Sequence, residues 1–453
     1  MNLREWNIRD YGAVCSDRLQ TEKIQKAIDD CFLAGGGRVR IPCGVYLTGG
    51  IRIRSNVELY LESGAILKGS RNCMDYFAWE NDKLEPVTME TWSNEPGKGK
   101  STVATSRWCN GLIRAFDAVN IAVIGEKGSY IDGQSCFDPE GENDYRGPHG
   151  MSIWRCKGIR LEGYTFLNSA NWCHAIFKSQ DITVKNISVF GGHDGVDVRT
   201  CDNVLIEDCD INTGDDAIAG FDNHDVIVRN CTLNSACQCI RFGGNNVLIE
   251  NCKSDAREFG FRLALTDEER EMGAPTNEFC RFESIVLFSY YCDNRAVLRK
   301  PAENIVIRNM HCAQSREIAR LEFDGLHRWC CNRSLRHIVF ENVTWEDVLR
   351  AGEIWGDENE KVTWIFKNCR ITCREGSEQE PLFVAGGFEK IVFEDCVIEG
   401  YAEPSIWAAT DGVVEVIRST PVRVIPKTKE ECLEKHPWGI AREDIGKPIH
   451  FTR

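Results

Sequence analysis

The sequence predicts an all-β protein, folded as a single-stranded parallel β-helix with a short helix capping its N-terminal end. Between residues 182 and 252 the chain repeats itself about once every 22 residues, and each copy is an alternating apolar run closed by a polar residue. No segment with a helical period separates the copies. A repeat of this length with two-residue alternation is typical of a solenoid in which each copy forms one rung.

The four clearest copies align without gaps. They are D-I-T-V-K-N-I (181–187), N-V-L-I-E-D-C (203–209), D-V-I-V-R-N-C (225–231) and N-V-L-I-E-N-C (246–252). Equivalent residues of successive rungs are expected about 4.8 Å apart, the spacing of neighbouring strands in any sheet. The Asn/Asp column is predicted to be a turn ladder whose side chains bond the backbone of the next rung, and the Ile/Cys column is predicted to face inward. The same signature returns less regularly at 120–123, 159–162, 304–307, 337–340 and 390–393, so the solenoid is expected to span most of the chain.

All 453 residues are expected to form one domain, because a repeat architecture grows by adding rungs. Residues 1–50 are predicted to form a cap with a helix over Thr21–Cys31, whose N-cap is Thr21 and whose end is followed by glycines 35–37. Such a helix protects the open edge of a solenoid from pairing with other chains. The tail, residues 421–453, contains four prolines and no alternation, and is expected to be irregular and to pack along the outside.

Two long segments depart from the rung pattern and are candidate walls of a substrate cleft. They are 81–106, rich in charge, Pro and Trp, and 257–294. Trp79, Trp92 and Trp108 lie near the first of them and could offer faces for stacking against sugars.

Composition predicts a cytoplasmic protein. The N-terminus has no apolar region of the kind found in signal peptides, and no stretch is long and apolar enough to span a bilayer. The 23 cysteines include no metal-type C-x₂-C pairs, and we interpret them as small apolar fillers of a narrow coil rather than a disulfide framework. The net charge of −15 disfavours nucleic acid or an anionic membrane as a partner, although a local cationic pocket would still admit an acidic sugar.

Three carboxylates, Asp194, Asp215 and Asp216, recur on the period of the repeat. An inverting glycosidase needs one carboxylic acid to protonate the departing oxygen, and a second carboxylate about 6.5–9.5 Å away to deprotonate a water. Asp215 and Asp216 would point to opposite faces of a regular strand, so both serve one cleft only if the backbone leaves strand geometry near Gly214. Like-charge repulsion among clustered carboxylates then helps one of them keep its proton. The alternatives are a simple turn or a calcium-binding acidic edge.

The chain resembles the polygalacturonase-type glycoside hydrolases of family 28. The resemblance rests on D-Y-G-A-V (10–14), A-G-G-G (34–37), I-D-G-Q (131–134) and above all T-G-D-D-A-I-A (213–219), which follows H-D-G (193–195). Asp194, Asp216, Gln238 and Arg262 fall at intervals of 22, 22 and 24, as the family's four consecutive motifs require. The resemblance implies a right-handed parallel β-helix and hydrolysis without a cofactor or metal.

The match to the family's motifs is partial. Asp194 matches the Asp of Asn-Thr-Asp, but Gly192 and His193 replace the Asn and Thr. Asp215 and Asp216 match the acidic pair of Gly-Asp-Asp unchanged. The Gly-His-Gly position reads C-Q-C (237–239), and the Arg-Ile-Lys position reads R-L-A (262–264), so the family's histidine and lysine are both missing.

The resemblance implies a role for each residue. Asp215 is the acid, Asp194 and Asp216 hold the water, and Arg262 binds the sugar, including a galacturonate carboxylate. Four residues are candidate substrate ligands with an alternative each: Arg262 could be held by an Asp, Gln238 could replace the missing histidine or fill a turn, His193 could contact sugar or be structural, and Arg241 could supply a replacement cation or be solvated.

Three functions are consistent with these residues. The first is an exo-acting, inverting hydrolase of α-glycosidic bonds in pectic oligosaccharides, either galacturonides or rhamnogalacturonides. The second is the same chemistry on a non-uronic sugar of a plant glycoside, which the missing lysine and histidine favour. The third is a pectate-lyase-like enzyme, which would use calcium, or a carbohydrate-binding solenoid without catalysis.

Overall fold

The computed structural model describes residues 4–76, 109–142, 145–255, 284–292, 298–321, 335–356 and 359–435. It is an all-β structure of short parallel strands, and the predicted parallel β-helix is confirmed. The described chain divides into two compact units, the first ending at Asn212 and the second beginning at Thr213. The expectation of one domain over residues 1–453 stays a prediction.

The first unit contains three lines of parallel strands, because each rung contributes one strand to each line. One line joins Glu5–Asn7, Gly37–Ile41, Val57–Leu61, Val119–Gly125, Lys157–Glu162, Gln180–Lys185 and Asp202–Glu207. A second joins Gly44–Thr48, Ala65–Gly69, Tyr130–Asp132, Thr165–Leu167 and Ser188–Gly191, and the strand Asp210–Thr213 follows along the chain. The third joins Ile51–Arg52, Gly111–Phe116, His149–Trp154, His174–Phe177 and Val196–Arg199. A further strand, Phe137–Glu142, lies outside these lines.

The second unit is built in the same way, but several of its strands run through two lines. Its strands are Ile218–Arg229, Thr232–Ser235, Gln238–Glu250, Lys253–Asp255, Ser284–Tyr290, Glu303–Ala313, Ser315–Leu321, His337–Val348, Gly352–Trp355, Val362–Lys367, Arg370–Cys373, Phe383–Gly386, Phe388–Glu394, Val397–Glu399, Ser405–Ala408, Val413–Ile417 and Arg423–Pro426. All strand pairs between its rungs are parallel.

The predicted stacking of equivalent residues is confirmed within each unit. Val184 lies opposite Ile206 in the first unit, and Val228 lies opposite Ile249 in the second. All four side chains are at most 1% exposed. The apolar residues of each copy therefore form the core of the coil.

The Asn/Asp column is a ladder, but it is built differently from the prediction. Asn309, Asn342 and Asn368 bond one another through their side chains: Asn342 Nδ2 donates to Asn309 Oδ1 at 2.9 Å, and Asn368 Nδ2 donates to Asn342 Oδ1 at 2.6 Å. Each also has a φ between 48° and 54°, the left-handed region that Asn and Asp tolerate better than other side chains. In the predicted column itself, Asn309 Nδ2 donates to Asn251 Oδ1 at 3.1 Å, so at this position a side chain bonds a side chain rather than the backbone.

The cysteine column faces inward, as predicted. Cys209, Cys231 and Cys252 are at most 4% exposed. Each thiol points back to the carbonyl oxygen two residues earlier, at 3.1 to 3.3 Å, and so partly satisfies the backbone at the corner of the rung. All cysteines in the described part of the chain carry free thiols.

A helix over Thr21–Leu33 covers the N-terminal end of the first unit, and short 3₁₀ helices span Ile8–Tyr11 and Cys73–Tyr76. The long helix buries Ile24 and Ile28 against the first strands, which confirms the cap. Its N-cap is Gln20 rather than Thr21. Thr21 is drawn away from capping because its hydroxyl oxygen accepts the backbone N–H of Gly49 at 2.7 Å.

The C-terminal tail is more regular than predicted. Strand Arg423–Pro426 pairs with Ser405–Ala408, and a helix follows over Lys429–Lys435. This helix packs Cys432 with Trp355, so apolar contact orders a segment that lacks strand alternation. Residues 436–453 lie outside the described residues.

Both predicted cleft walls lie largely outside the described residues, as do Trp79, Trp92 and Trp108. Within the second wall, the part over Ser284–Tyr290 is an ordinary strand paired with Gln238–Glu250. Its continuous apolar run reflects burial on both faces rather than a loop. Among the described helices, none is both long and apolar enough to cross a membrane.

Candidate active site

Asp194 lies in the first unit, in the turn just before the strand Val196–Arg199. Its side chain is 4% exposed, and its carbonyl oxygen accepts the backbone N–H of Cys173 at 2.8 Å. His193 is also buried, and its ring stacks on Tyr145 with a centroid distance of 6.1 Å. His193 is therefore not a solvated turn residue, since it packs into the wall beside Asp194.

The strand that follows Asp194 carries a buried ion pair. Arg199 donates two hydrogen bonds of 2.9 Å to the carboxylate of Asp197, and its guanidinium lies 4.2 Å from the ring centroid of Trp172. Asp197 is fully buried. An arginine that makes two hydrogen bonds and stacks on a ring is rigid. It therefore fixes one face of the strand that follows Asp194.

Asp215 and Asp216 lie in the second unit, between the strand that ends at Thr213 and the strand that begins at Ile218. Asp215 is 9% exposed and Asp216 is 2% exposed. The hydroxyls of Thr213 and Ser235 both donate to the Asp215 carbonyl oxygen, at 2.8 and 2.6 Å. These bonds hold the backbone of residues 214–217 out of strand geometry.

The two carboxylates converge, as the required departure from strand geometry predicts. One oxygen of Asp215, one oxygen of Asp216 and the sulfur of Cys237 all lie within 4.8 Å of one another. Carboxylates and a thiolate are ligands that Zn²⁺ accepts, so within the described residues this trio is the group that could hold a metal ion. Sequence reasoning missed Cys237, although the C-Q-C that replaces Gly-His-Gly had marked its position.

Arg241 reaches the acidic pair, as proposed for a replacement cation. One of its terminal nitrogens lies 3.4 Å from a carboxylate oxygen of Asp216, and its side chain is 13% exposed. Its guanidinium lies 3.8 Å from the ring centroid of Tyr291, which gives a cation–π contact. Tyr291 had no signal in the sequence that set it apart from a core aromatic residue.

Gln238 lies in the rung after the acidic pair. Its carbonyl oxygen accepts the N–H of Ala217 at 3.1 Å, and its half-buried side chain has an amide oxygen without a hydrogen-bond partner among the described residues. On the next strand Gln238 lies opposite Val286. The interval of 24 residues between Gln238 and Arg262 predicts that Arg262 lies opposite Gln238 in the next rung. Residues 256–283, which include Arg262, lie outside the described residues, between strands that end at Asp255 and begin at Ser284.

Comparison with known proteins relates the middle of the chain to a family of glycoside hydrolases. Residues 96–262 match the family model of glycosyl hydrolases family 28. A probable polygalacturonase of Vitis vinifera is 26% identical over 48% of this chain and 45% of its own length. The chain thus spans less than half the length of the curated relatives it matches.

Two solved structures are similar in fold. An exopolygalacturonase of Thermotoga maritima matches with a TM-score of 0.62 and 19% identity, over 83% of this chain and 89% of its own. A family 28 exopolygalacturonase of Yersinia enterocolitica matches with a TM-score of 0.61 and 16% identity, over 94% of this chain and 79% of its own. With the acidic pair of T-G-D-D in place and the family's three other motifs altered, the chain resembles a divergent glycosyl hydrolase of family 28.

Proposed function

We propose that this protein is an inverting glycoside hydrolase that cleaves α-glycosidic bonds of pectic oligosaccharides. The observation that carries the proposal is the convergence of the Asp215 and Asp216 carboxylates on the family's acidic motif. A pair of carboxyl groups in different environments is what acid and base catalysis at a glycosidic bond requires.

The surroundings of the pair support a division of roles. Arg241 lies beside Asp216, and a nearby cation favours the ionised form of a carboxylate, which is the form that activates water. Asp215 is the more exposed of the two and receives the role of proton donor to the leaving oxygen. The proposal assigns Asp194 to the water together with Asp216, following the family's motif order.

One distance favours a second candidate mechanism. The nearest oxygens of Asp215 and Asp216 lie within 4.8 Å, shorter than the roughly 6.5–9.5 Å between the carboxyl groups of inverting enzymes. Retaining enzymes place these groups only about 5–5.5 Å apart, with one carboxylate as nucleophile. Retention would make Asp216 the nucleophile.

Arg241 is the best supported ligand for a uronic acid. Its stacking on Tyr291 fixes the guanidinium plane, and a fixed guanidinium suits a carboxylate. Arg241→Gln is expected to raise KM for galacturonides about tenfold and to leave KM for neutral glycosides unchanged, with Arg370→Gln on the exposed surface as the control. An unchanged KM for galacturonides would favour a non-uronic sugar, the substrate class that the missing family lysine and histidine suggest.

Exo action and a cytoplasmic location belong to the same proposal. The free thiols of the described cysteines support a cytoplasmic location. Exo action rests on that location, since an enzyme in the cytoplasm meets short oligosaccharides. Product size from defined oligosaccharides tests exo action: release of one terminal sugar at a time supports it, and early internal fragments refute it.

The testing experiment is a product-release screen on α-galacturonide, α-rhamnoside and neutral aryl glycosides, beside pectic oligosaccharides. Asp215→Asn is the inactive variant, and Asp225→Asn is the control because Asp225 is exposed and has a positive φ that Asn tolerates. A product with a new double bond, lost on chelation of calcium, would show a lyase. Binding without turnover that survives Asp215→Asn would show a binding module.

A further inference from the structure

A fully buried histidine lies directly behind the Asp194 turn. His174 begins the strand that runs alongside Val196–Arg199, and its ring is 0% exposed. Its Nδ1 lies 3.0 Å from the carbonyl oxygen of Gly195, and its Nε2 lies 2.9 Å from the hydroxyl of Tyr164. The ring thus joins the core of the coil to the residue that follows Asp194.

The partners fix the tautomer of His174. A carbonyl oxygen only accepts, so Nδ1 carries the proton and donates it to Gly195. In the neutral ring Nε2 is then an acceptor, and it receives the hydroxyl proton of Tyr164. Burial lowers the pKa of His174 to about 4, which keeps the ring neutral at ordinary pH. Both ring nitrogens are satisfied in this state.

The hydrogen bond from His174 Nδ1 to Gly195 adds to the ordinary backbone hydrogen bonds between the two neighbouring rungs. The backbone N–H of Cys173 donates to Asp194 at 2.8 Å, and the backbone N–H of His174 donates to Gly195 at 3.1 Å. The Gly195 oxygen therefore receives two bonds from one residue, from the backbone and from the ring. A strand pair needs only the backbone bonds, so the ring supplies an additional constraint on the peptide next to Asp194.

Packing alone does not account for a histidine here. The ring is enclosed by the edge of Phe166, at a centroid distance of 5.7 Å, and by the ring of Tyr164. A polar ring in such surroundings costs free energy unless both nitrogens are bonded, whereas an apolar side chain would fill the space without that cost. The histidine contributes a hydrogen bond of fixed length and angle, and this bond sets the direction of the Gly195 carbonyl group.

We propose that His174 is a positioning residue for Asp194: its Nδ1–H, oriented by Tyr164, fixes the Gly195 carbonyl and so the direction of the Asp194 carboxylate. The inference rests on the proposed function, in which Asp194 holds the attacking water. A catalytic group must be held within about 0.5 Å of its productive position, and a displacement of about 1 Å can lower the rate about a hundredfold. The Asp194 turn, which lies between the strands Ser188–Gly191 and Val196–Arg199, needs such a fixed point.

A matched pair of substitutions separates the two ring nitrogens. In His174→Asn the amide NH₂ lies near the place of Nδ1 and can still donate to Gly195, whereas in His174→Gln the amide reaches toward Tyr164 and leaves Gly195 without its ring donor. We expect His174→Asn to keep kcat within about threefold, and His174→Gln to lower kcat between about tenfold and a hundredfold with KM little changed. Equal losses of kcat in the two variants would overturn the proposal.

Crystal structures of the wild type and both variants give a readout that needs no activity. The Asp194 carboxylate is expected to move by more than about 0.5 Å in His174→Gln and to stay in place in His174→Asn. An unmoved Asp194 in His174→Gln would overturn the positioning role even if the enzyme is active. An inactive wild type with Asp194 displaced in His174→Gln would instead refute the proposed function and keep the positioning role. Thermal unfolding of both variants measures the loss of packing that they share.

Discussion

The two acidic turns of this molecule are held by different chemistry. In the first unit the peptide after Asp194 is fixed by a buried imidazole, which donates to a carbonyl oxygen from inside the coil. In the second unit the peptide of Asp215 is fixed by two hydroxyls, from Thr213 and Ser235. Both devices leave a carboxylate almost buried in a turn between two strands, where its side-chain direction depends on the neighbouring peptide. A solenoid that varies its rungs therefore needs a local anchor at each functional turn, and each anchor can be broken separately.

The largest effect is expected at the acid itself. Asp215→Asn removes the proton that the leaving oxygen needs, and kcat is expected to fall by about a thousandfold or more, with little loss of stability. Turnover of the purified variant is compared with that of wild type and of Asp225→Asn. A fall of less than about tenfold would remove Asp215 from the acid role.

The imidazole of His174, which holds the peptide after Asp194, can bind a proton at acidic pH. The hydroxyls of Thr213 and Ser235, which hold the peptide of Asp215, cannot. Burial lowers the pKa of His174 from its usual 6.5 to about 4, and its partner Tyr164 stays neutral because burial raises its own pKa. His174 therefore binds a proton near pH 6.5 in the unfolded chain, but only near pH 4 in the folded chain. This contribution to the unfolding free energy is complete above pH 6.5 and is lost as the pH falls toward 4, by up to about 3 kcal/mol.

Urea unfolding at pH 7 and at pH 4.5 checks this expectation. The wild type is expected to lose more stability between the two values than His174→Asn, which cannot bind the proton. The carboxylates of the protein titrate in both proteins, so the difference between them isolates the histidine. Identical losses would mean that His174 is protonated in the folded state within this range.

The hydroxyl anchor is broken by Ser235→Ala. Removal of the 2.6 Å bond leaves the Asp215 carbonyl oxygen with the bond from Thr213, so kcat is expected to fall about tenfold and the unfolding free energy by about 1 kcal/mol. Thr213→Ser keeps a hydroxyl and is expected to behave like wild type. Kinetics of the two variants, with their thermal unfolding, tests the anchor. Full activity in Ser235→Ala would show that the strand ends alone direct Asp215.

The smallest effect is expected where the repeat is regular. Asn342→Ala puts a β-carbon at a φ of 54° and removes amide bonds to Asn309 and Asn368, whereas Asn342→Gly removes the bonds but tolerates the φ. We expect a loss of unfolding free energy of about 1 kcal/mol for alanine, a smaller loss for glycine, and unchanged kcat in both. If glycine were as costly as alanine, the amide bonds rather than the backbone conformation would stabilise the ladder.

Local periodicity was sufficient to predict the scaffold. Alternation and the repeat of about 22 residues predicted the stacking of Val184 on Ile206 and the inward thiols, because both depend on neighbours in sequence and on the spacing of strands. The N-cap was not predictable, because Thr21 is engaged by Gly49 from a distant strand. Val286 lies opposite Gln238, and the place of Arg262, outside the described residues, stays a prediction.

The site was predictable where a motif specifies it. The acidic pair lies where its motif places it, and Arg241, opposite Ala219 in the next rung, reaches back to Asp216. The anchors were not foreseen, since a serine at 235 and a histidine at 174 have no pattern that separates them from turn and core residues. Their roles appear only when hydrogen-bond geometry shows which carbonyl each one reaches.

The central claim is that the carboxylates of this chain hydrolyse an α-glycosidic bond with inversion. Proton NMR of a galacturonide digest, recorded from the first minutes, observes both the cleavage and the anomer released. The account predicts the β-anomer of the new reducing end first, formed by wild type and not by Asp215→Asn. First release of the α-anomer would instead support retention, with Asp216 as nucleophile at the short distance from Asp215, and absence of any new reducing end from uronic and neutral substrates would contradict the account altogether.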